Sequence, residues 1–437
     1  MRLAVVVQRY GADINGGAEL HARYVAEHLA RHAEVEVFTT CARDYVTWAN
    51  ELPEGASPLG GVLVRRFPVP SPRDVFAFAR RSTLVFSRPH SVQDELSWLD
   101  SEGPASPALV STLTAEQARF DWIVVFSYRY HHAFHAVRAI ASKAVLVPTA
   151  ERDAAVGLSI FGPIFRGVRA LMFNSHEERA MLQHAAGRDL PGVVVGVGSD
   201  VPERPQPDRF RQKHGITTRF AIYVGRIDEN KGCTELFEFF QRFERNMPGQ
   251  LRLVLIGTSI LPIPDDPRIQ HLGFLPDQDK FDAMAAADVL IMPSYYESLS
   301  MVALEAWALG KPVLANGRCD VLKGQCLRSN AGLFYENYAE FAEALYAITS
   351  GPGLSDALGR NGRTYFRTHY AWPVVERKYL ETFDRLAHEP LDARPALEPL
   401  PGFFARRRRT LRPADDVLAA IPAGACRAEA LPPRGRP

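Results

Sequence analysis

Short runs of apolar and β-branched residues alternate with longer amphipathic segments along most of the chain. Runs of four to seven such residues between polar turns predict strands of a parallel sheet, because a strand covered on both faces is apolar throughout. In the first half the predicted strands are RLAVVV, VEVFTT, VLVRRF, DWIVVFS, AVLVPTA, ALMFNS and VVVGVG. This alternation indicates a doubly wound, Rossmann-like α/β domain over residues 1–200.

A second domain is predicted after VPERPQPD, residues 201–208, a linker whose prolines cannot continue a helix or a central strand. The alternation restarts over residues 209–372. There it predicts strands in RFAIYVG, LRLVLIG, RIQHLGF, DVLIMPS and KPVLA, and helices at 236–243, 277–287 and 298–309, with a closing helix at 373–389. We therefore expect two facing parallel-sheet domains with an interdomain cleft, in which ligands bind beyond the carboxyl ends of the strands.

Two segments depart from this alternation. Residues 71–114 are predicted to form an irregular helical insertion over the sheet edge or the cleft. Residues 390–437 are rich in Pro, Ala and Arg and are predicted to be disordered. Within them FFARRRR, residues 403–409, is interpreted as a solvated basic tail, with a peripheral contact to anionic lipid as the alternative.

Composition limits the class of partner and the compartment. The 437 residues carry a formal net charge of +1, which gives no general attraction to nucleic acid or to anionic lipid. The five cysteines include no CxxC pair, so neither a disulfide framework nor a zinc site is predicted. The first apolar run is too short for a signal peptide, and no run is long enough to span a membrane. A cytoplasmic protein is the expectation.

The segment PSYYESLSMVALEAWALGKPV, residues 293–313, holds two carboxylates around an apolar run. Glu297 is expected in the turn after a strand, and Glu305 two turns into the next helix, about 12 Å apart if all eight steps are helical. That distance roughly matches the separation of sugar and ribose in a sugar nucleotide. The backbone N–H groups expected to open this helix, and to bind a diphosphate, are those of Ser298, Leu299 and Ser300.

A second strand-to-helix turn, GRIDENKG, carries Arg226 and Lys231 after Gly225, which has no side chain to obstruct a ligand. Two cations at the carboxyl edge of a sheet can neutralise a diphosphate and stabilise it as a leaving group. The same cleft is predicted to contain both this turn and the carboxylate-flanked helix.

The first domain supplies weaker candidates. Gly16 and Gly17 are predicted to let a ligand approach a helix N-terminus, although the absence of GxGxxG argues against a nicotinamide dehydrogenase. In SYRYHHAFHAV, His131 and His132 follow a predicted strand and are both candidates to face the cleft. The spacing of serine and glutamate in FNSHEE predicts a capping box at a helix start.

Several segments together resemble the donor-binding domain of retaining glycosyltransferases of family 4, which have the GT-B fold. The resemblance is carried by YVGRIDENKG, GFLPDQDKFDAMAAADVLIMPSYYESLSMVALEAWALGKPVLA, NAGLFY and HYAWPVVERKYLETF. It covers residues 220–383 well and the first domain more loosely, through NGGAE and FNSHEE. Family members commonly have glycine after the first glutamate, where this chain has Ser298.

The resemblance implies that Arg226 and Lys231 bind the donor diphosphate, that Glu297 contacts the sugar and that Glu305 holds the ribose. It also implies a first-domain histidine near the donor sugar, for which we take His131 and keep His132 open. Base recognition is expected from the backbone of residues 273–275, which include Phe274 and Leu275.

The implied reaction is transfer from a nucleoside-diphosphate sugar to a saccharide or lipid-linked acceptor with retention of configuration, without a metal or another cofactor. Two alternatives stay open. One is a non-catalytic sugar-nucleotide-binding scaffold on the same fold, and the other is an α/β sugar-nucleotide epimerase.

Overall fold

The protein is described by a computed structural model over residues 1–14, 16–247, 251–390, 397–402 and 414–421. Residues Met1–Glu398 form one compact unit that contains both predicted sheets, and Pro399–Pro437 form a second. In the described part of the second unit one short helix, Ala414–Ala419, is present. The arginine run at 403–409 lies outside the described residues, so the predictions for it stay predictions.

The first sheet has eight strands in the order β3-β4-β2-β1-β5-β6-β7-β8, all parallel except the antiparallel pair of β3 and β4. The predicted strands are confirmed, and β3 is an addition that the sequence analysis missed because its exposed GASPL segment has no apolar run. Their bounds are β1 Arg2–Val6, β2 Glu34–Thr40, β3 Gly55–Leu59, β4 Val62–Phe67, β5 Trp122–Phe126, β6 Ala144–Val147, β7 Ala170–Phe173 and β8 Gly192–Val194.

The segment 71–114 is helical, as predicted, and its place over the sheet edge or the cleft stays a prediction. Its last helix crosses from β4 to β5 and packs on β2 and β4, while the preceding helix packs on the helix that follows β5. Trp98 is fully buried in this segment, between Phe86 and Phe161. The helices of the first domain are α1 Gly17–Leu29, α2 Val75–Ser87, α3 Val92–Glu102, α4 Pro107–Glu116, α5 His131–Ile140, α6 Phe161–Gly167 and α7 His176–Ala186.

The second sheet has six parallel strands in the order β11-β10-β9-β12-β13-β14. Chain order reverses between β9 and β12, so these neighbouring strands form a topological switch point, where open α/β sheets bind ligands. The strands are β9 Phe220–Val224, β10 Arg252–Ile256, β11 Ile269–His271, β12 Val289–Met292, β13 Val313–Asn316 and β14 Gly332–Tyr335. The helices are α8 Pro207–His214, α9 Cys233–Asn246, α10 Asp277–Ala286, α11 Met301–Ala308, α12 Asp320–Ser329, α13 Tyr338–Ser350 and α14 Pro352–His369.

The predicted linker at 201–208 is two residues too long. Pro207 occupies the first position of α8, where its missing N–H costs no hydrogen bond. The helix is anchored to the second domain, since Arg209 Nε donates to Asp282 Oδ2 at 2.7 Å and Gln206 N donates to Oδ1 of the same carboxylate at 2.7 Å.

The closing helix, α15 Trp372–His388, lies one residue from its predicted bounds and packs on α1 of the first domain as well as on α14. Phe383 stacks on Trp122 with ring centroids 6.4 Å apart, and Trp372 stacks on His28 at 3.7 Å. After it, Glu398 forms an ion pair with Arg166 at 2.6 Å, so this part of the tail predicted to be disordered is packed. No helix in the described ranges is both long and apolar enough to cross a bilayer.

Candidate functional site

The switch point of the second sheet brings together the two turns that the sequence analysis selected. Lys231 follows β9 and Glu297 follows β12, and Lys231 Nζ lies 2.8 Å from Glu297 Oε1. Their side chains are 28% and 11% exposed. Burial alone would lower the pKa of Lys231, but the carboxylates of Glu297 and Glu151 outweigh it and raise that pKa above its usual range. Lys231 is therefore protonated and positively charged at the carboxyl edge of the sheet.

Close backbone packing fixes these two turns against each other. Gly232 is the N-cap of α9 and has φ = 72°. A Cβ at this position would lie 2.1 Å from the carbonyl oxygen of Pro293, at the end of β12. The glycine after Lys231 is thus required both by its left-handed backbone and by the approach of the neighbouring loop.

Asp228 organises the cationic turn and was missed by the sequence analysis. This buried carboxylate accepts hydrogen bonds from Lys231 N at 2.8 Å and from Arg226 Nε. Arg226 is itself 54% exposed, so its guanidinium is held at the turn while facing solvent. The signal was available in the sequence, because an aspartate in a turn often accepts a hydrogen bond from a backbone N–H a few residues later.

The helix after β12 begins later than predicted. Ser300, not Ser298, is the N-cap: its Oγ accepts from Ala303 N at 3.2 Å, and α11 begins at Met301. The N–H groups of residues 298–300 therefore lie in the turn before the helix. In that turn Leu299 is buried and Ser298 Oγ accepts from Asn174 of the first domain. Only the last four residues before Glu305 are helical, so the fully helical 12 Å estimate does not apply.

Glu305 is a buried carboxylate held from both domains. Its Oε1 accepts from Lys280 Nζ at 3.1 Å, on α10, and from Ser199 Oγ at 3.0 Å, in the segment after β8. Its Oε2 is buried and has no hydrogen-bond partner among the described residues. A buried carboxylate oxygen in this state can accept a hydrogen bond from a ligand hydroxyl.

Two first-domain loops are joined to this site through Glu178. Its N–H bonds to Ser175 Oγ, which is half of the predicted capping box, but its carboxylate instead accepts from the backbone N–H groups of Ala150 and Asn174, each at 2.5 Å. Asn174 Nδ2 in turn donates to Ser298 Oγ at 3.3 Å. The carboxylate therefore fixes the loops after β6 and β7 where they meet the second domain.

Glu151, next to one of these loop positions, is a further acidic residue that the sequence analysis did not single out. Burial raises its pKa to about 7; the charge of Lys231 opposes this shift and that of Glu297 adds to it. These interactions place the Glu151 carboxyl in the same electrostatic cluster as the Lys231–Glu297 pair. In the polar stretch PTAERD, residues 148–153, nothing local distinguished Glu151 from its charged neighbours.

Replacing Glu151 by glutamine is expected to flatten the pH dependence of the melting temperature between about pH 4.5 and 7. The carboxyl ionises near pH 4.5 when unfolded but near pH 7 when folded, so the folded protein binds more protons between these values and stability falls as pH rises. Melting curves across this range test it, with exposed Glu343→Gln as the control. Equal slopes in both variants would contradict the raised pKa.

The two histidine candidates are not in contact with this cluster. His131 packs against His135, with ring centroids 4.2 Å apart, and its Nε2 lies 3.8 Å from Asp100 on α3. His132 is fully buried beside Tyr130. Among the described residues no hydrogen bond, ion pair or ring contact joins either histidine to Lys231 or Glu297, so a role for His131 stays a prediction.

Two side chains of the first domain, Glu19 and Arg9, lie against Gly16 at the start of α1. Helix α1 begins at Gly17, as predicted, but a Cβ on Gly16 would lie 2.0 Å from a carboxylate oxygen of Glu19. Glu19 is paired with Arg9 at 2.7 Å, and both side chains are nearly buried. This carboxylate complements the helix N-terminus, and ligand approach at Gly16 and Gly17 stays a prediction.

The loop predicted to recognise the base follows β11. Its Gly273 carbonyl accepts from Gly257 N at 2.8 Å, which ties the loop to the end of β10. Phe274 is 64% exposed and Leu275 packs partly against the core. The loop therefore presents backbone and one aromatic ring to solvent, and its contact with a base stays a prediction.

The two doubly wound domains define the GT-B class of fold. Sucrose-phosphate synthase from Thermosynechococcus elongatus matches with a TM-score of 0.65 and 17% identity over 88% of this chain and 99% of that one. Anabaena Alr3699/HepE, solved in complex with UDP-glucose, has a TM-score of 0.60 and 16% identity over 88% and 100%. At these identities the likeness establishes the fold alone.

The match to a family model lies almost entirely in the second domain. Residues 206–365 match the model of the family described as glycosyl transferases group 1. Among curated proteins, the D-inositol 3-phosphate glycosyltransferase of Corynebacterium glutamicum (strain R) is 27% identical over 248 residues, which are 51% of this chain and 59% of that protein. The match thus spans little more than half of this relative's length.

Proposed function

We propose that the protein is a glycosyltransferase that moves a sugar from a nucleoside-diphosphate sugar to a saccharide or lipid-linked acceptor, with retention of configuration and without a metal at the donor. The observation that carries this proposal is the Lys231–Glu297 pair, 2.8 Å apart at the switch point. The match of residues 206–365 to glycosyl transferases group 1 supports it.

In the proposed reaction the anomeric C–O bond to the diphosphate breaks as the acceptor oxygen bonds to the same face of the sugar. Lys231 and Arg226 stabilise the negative charge that develops on the leaving diphosphate, and a phosphate oxygen takes the acceptor's proton. Glu297, already bonded to Lys231, orients that lysine and accepts hydrogen bonds from sugar hydroxyls.

The ribose is assigned to Glu305. Its Oε1 is engaged by Lys280 and Ser199, which leaves the buried Oε2 for a ribose hydroxyl. UDP-sugars are the first donors to examine, because a protein of similar fold has been solved with UDP-glucose. The acceptor is assigned to the first domain, where the loop that carries Glu151 meets the Lys231–Glu297 pair.

The test is a thermal-shift panel of UDP-, GDP-, ADP- and TDP-sugars in EDTA, on the wild type and on the Arg226→Ala, Lys231→Ala double variant. Stabilisation by one nucleotide class is expected for the wild type and not for the double variant. Lys323→Ala is the matched control, because this lysine also pairs with a glutamate at 2.8 Å, on the surface. No shift with any donor would overturn the donor site.

Product analysis then separates the alternatives. The proposed enzyme gives a glycoside with the donor's anomeric configuration. It releases nucleoside diphosphate when an acceptor is present, and without an acceptor only slowly, by hydrolysis of the donor. Free epimerised sugar nucleotide in the absence of an acceptor would instead identify an epimerase. Donor binding without turnover across a broad acceptor set would identify a scaffold.

A further inference from the structure

Outside the candidate donor site, three potential metal ligands converge between α3 and α5. His131 and His135 are four residues apart on α5, so their imidazoles lie on the same face, one turn apart. Asp100 faces them from α3, with its Oδ1 3.8 Å from His131 Nε2. One ligand atom from each of the three side chains lies within 4.8 Å of the other two.

The hydrogen bonding of His131 is incomplete. Its side chain is 12% exposed, its Nδ1 is buried without a partner among the described residues, and the 3.8 Å from Nε2 to Asp100 is too long for a hydrogen bond. Buried polar atoms are almost always satisfied by protein, water or an ion. A water molecule or an ion can therefore satisfy a ring nitrogen of His131.

We propose that Asp100, His131 and His135 bind one divalent transition-metal ion of the zinc type, with water as the fourth ligand. Two imidazoles, a carboxylate and a water form a common donor set for Zn²⁺. Tetrahedral bonds of about 2.0–2.1 Å place ligand atoms roughly 3.3 Å apart. Asp100, whose side chain is 65% exposed, has the freedom to close the remaining gap.

The ion would fasten α3 to α5. The last residue of α3, Glu102, forms ion pairs with Arg73 at 3.1 Å and with Arg129 at 2.9 Å, so a fixed α3 also fixes this buried charge network. No step of the proposed sugar transfer uses the ion, and the proposed metal site does not depend on the proposed function. As a metal ligand, His131 would not be the histidine at the donor sugar.

The experiment is a titration of the metal-free full-length protein with Co²⁺ and Zn²⁺, followed by visible absorption for Co²⁺ and by calorimetry for Zn²⁺. We expect one equivalent to bind, with the d–d bands of a four-coordinate cobalt site and a rise in melting temperature. His135→Ala and Asp100→Ala should each weaken binding by more than about tenfold, since removal of a direct ligand exceeds the effect of outer partners.

His32→Ala is the matched control. His28, on α1, and His32, in the turn after it, form another histidine pair at the same spacing, but their ring nitrogens already bond to the carboxylates of Glu376 and Asp200. The cobalt spectrum should survive this substitution. Loss of the signal in His32→Ala, or equal binding by the wild type and His135→Ala, would overturn the proposal.

Discussion

Replacing Lys231 by alanine is expected to lower kcat/KM for the sugar donor by roughly 10²–10³-fold, the usual cost of removing one preorganised group that stabilises transition-state charge. The reason is twofold. The leaving diphosphate loses a nearby cation, and Glu297 loses the ammonium group 2.8 Å away that holds its carboxylate. Steady-state kinetics at several donor concentrations measure the effect, and kcat should fall as well as kcat/KM rather than KM rising alone.

Lys323→Ala supplies the control for this prediction. Lys323 has the same 2.8 Å distance to a carboxylate, that of Glu336, but on the surface of α12. Its loss is expected to leave kcat/KM unchanged, because exposed ion pairs contribute little. A melting curve of Lys231→Ala near that of the wild type would show that the fold is kept. Wild-type turnover in that folded variant would remove Lys231 from the mechanism.

Much of the scaffold follows from the sequence because its signal is local. The central strands are apolar runs that are buried on both faces, so β1, β5, β9 and β12 were found within a residue or two of their observed ends. The two turns of the candidate site followed from these strands, since parallel strands end at one edge of a sheet. That edge places Lys231 beside Glu297.

The rest of the site depends on contacts between distant segments. Ser199 and Lys280 meet at Glu305 from two domains, and Asn174 reaches Ser298 across 124 positions of sequence. No local pattern marks such partners. The start of α11 was misplaced for a related reason. Ser298 and Ser300 are both suitable caps by residue type, but Ser298 Oγ accepts from Asn174 of the first domain while Ser300 Oγ caps the helix.

The packing of the last helix on the first domain could also not be predicted from local sequence. Its amphipathic pattern predicts a buried face but does not say which domain covers it. In the structure α15 places Glu376 against His28 at 2.8 Å and Phe383 against Trp122. The chain thereby crosses between the two domains twice.

Replacing Glu305 by glutamine is expected to lower kcat/KM for a ribonucleotide sugar by about 10–100-fold, as estimated for a hydrogen bond to a charged group. The buried Oε2, which has no hydrogen-bond partner among the described residues, is the atom proposed to accept a hydrogen bond from the ribose hydroxyl. A glutamine presents there either an NH2 group, which cannot accept, or a neutral oxygen, which accepts more weakly. Kinetics with 2′-deoxy and 3′-deoxy donors complete a double-mutant cycle. The substitution should cost much less with the donor that lacks the bonded hydroxyl.

Ser199→Ala separates ribose binding from the internal contacts of Glu305. It removes a hydrogen bond to Oε1 while Lys280 and the free Oε2 remain, so its effect should be small and equal for ribose and deoxyribose donors. If Glu305→Gln instead costs the same with every donor, the carboxylate contributes only to the packing of α11 against α10. Ribose recognition would then have to come from another group beside the switch point, and the Lys231–Glu297 pair would keep its role.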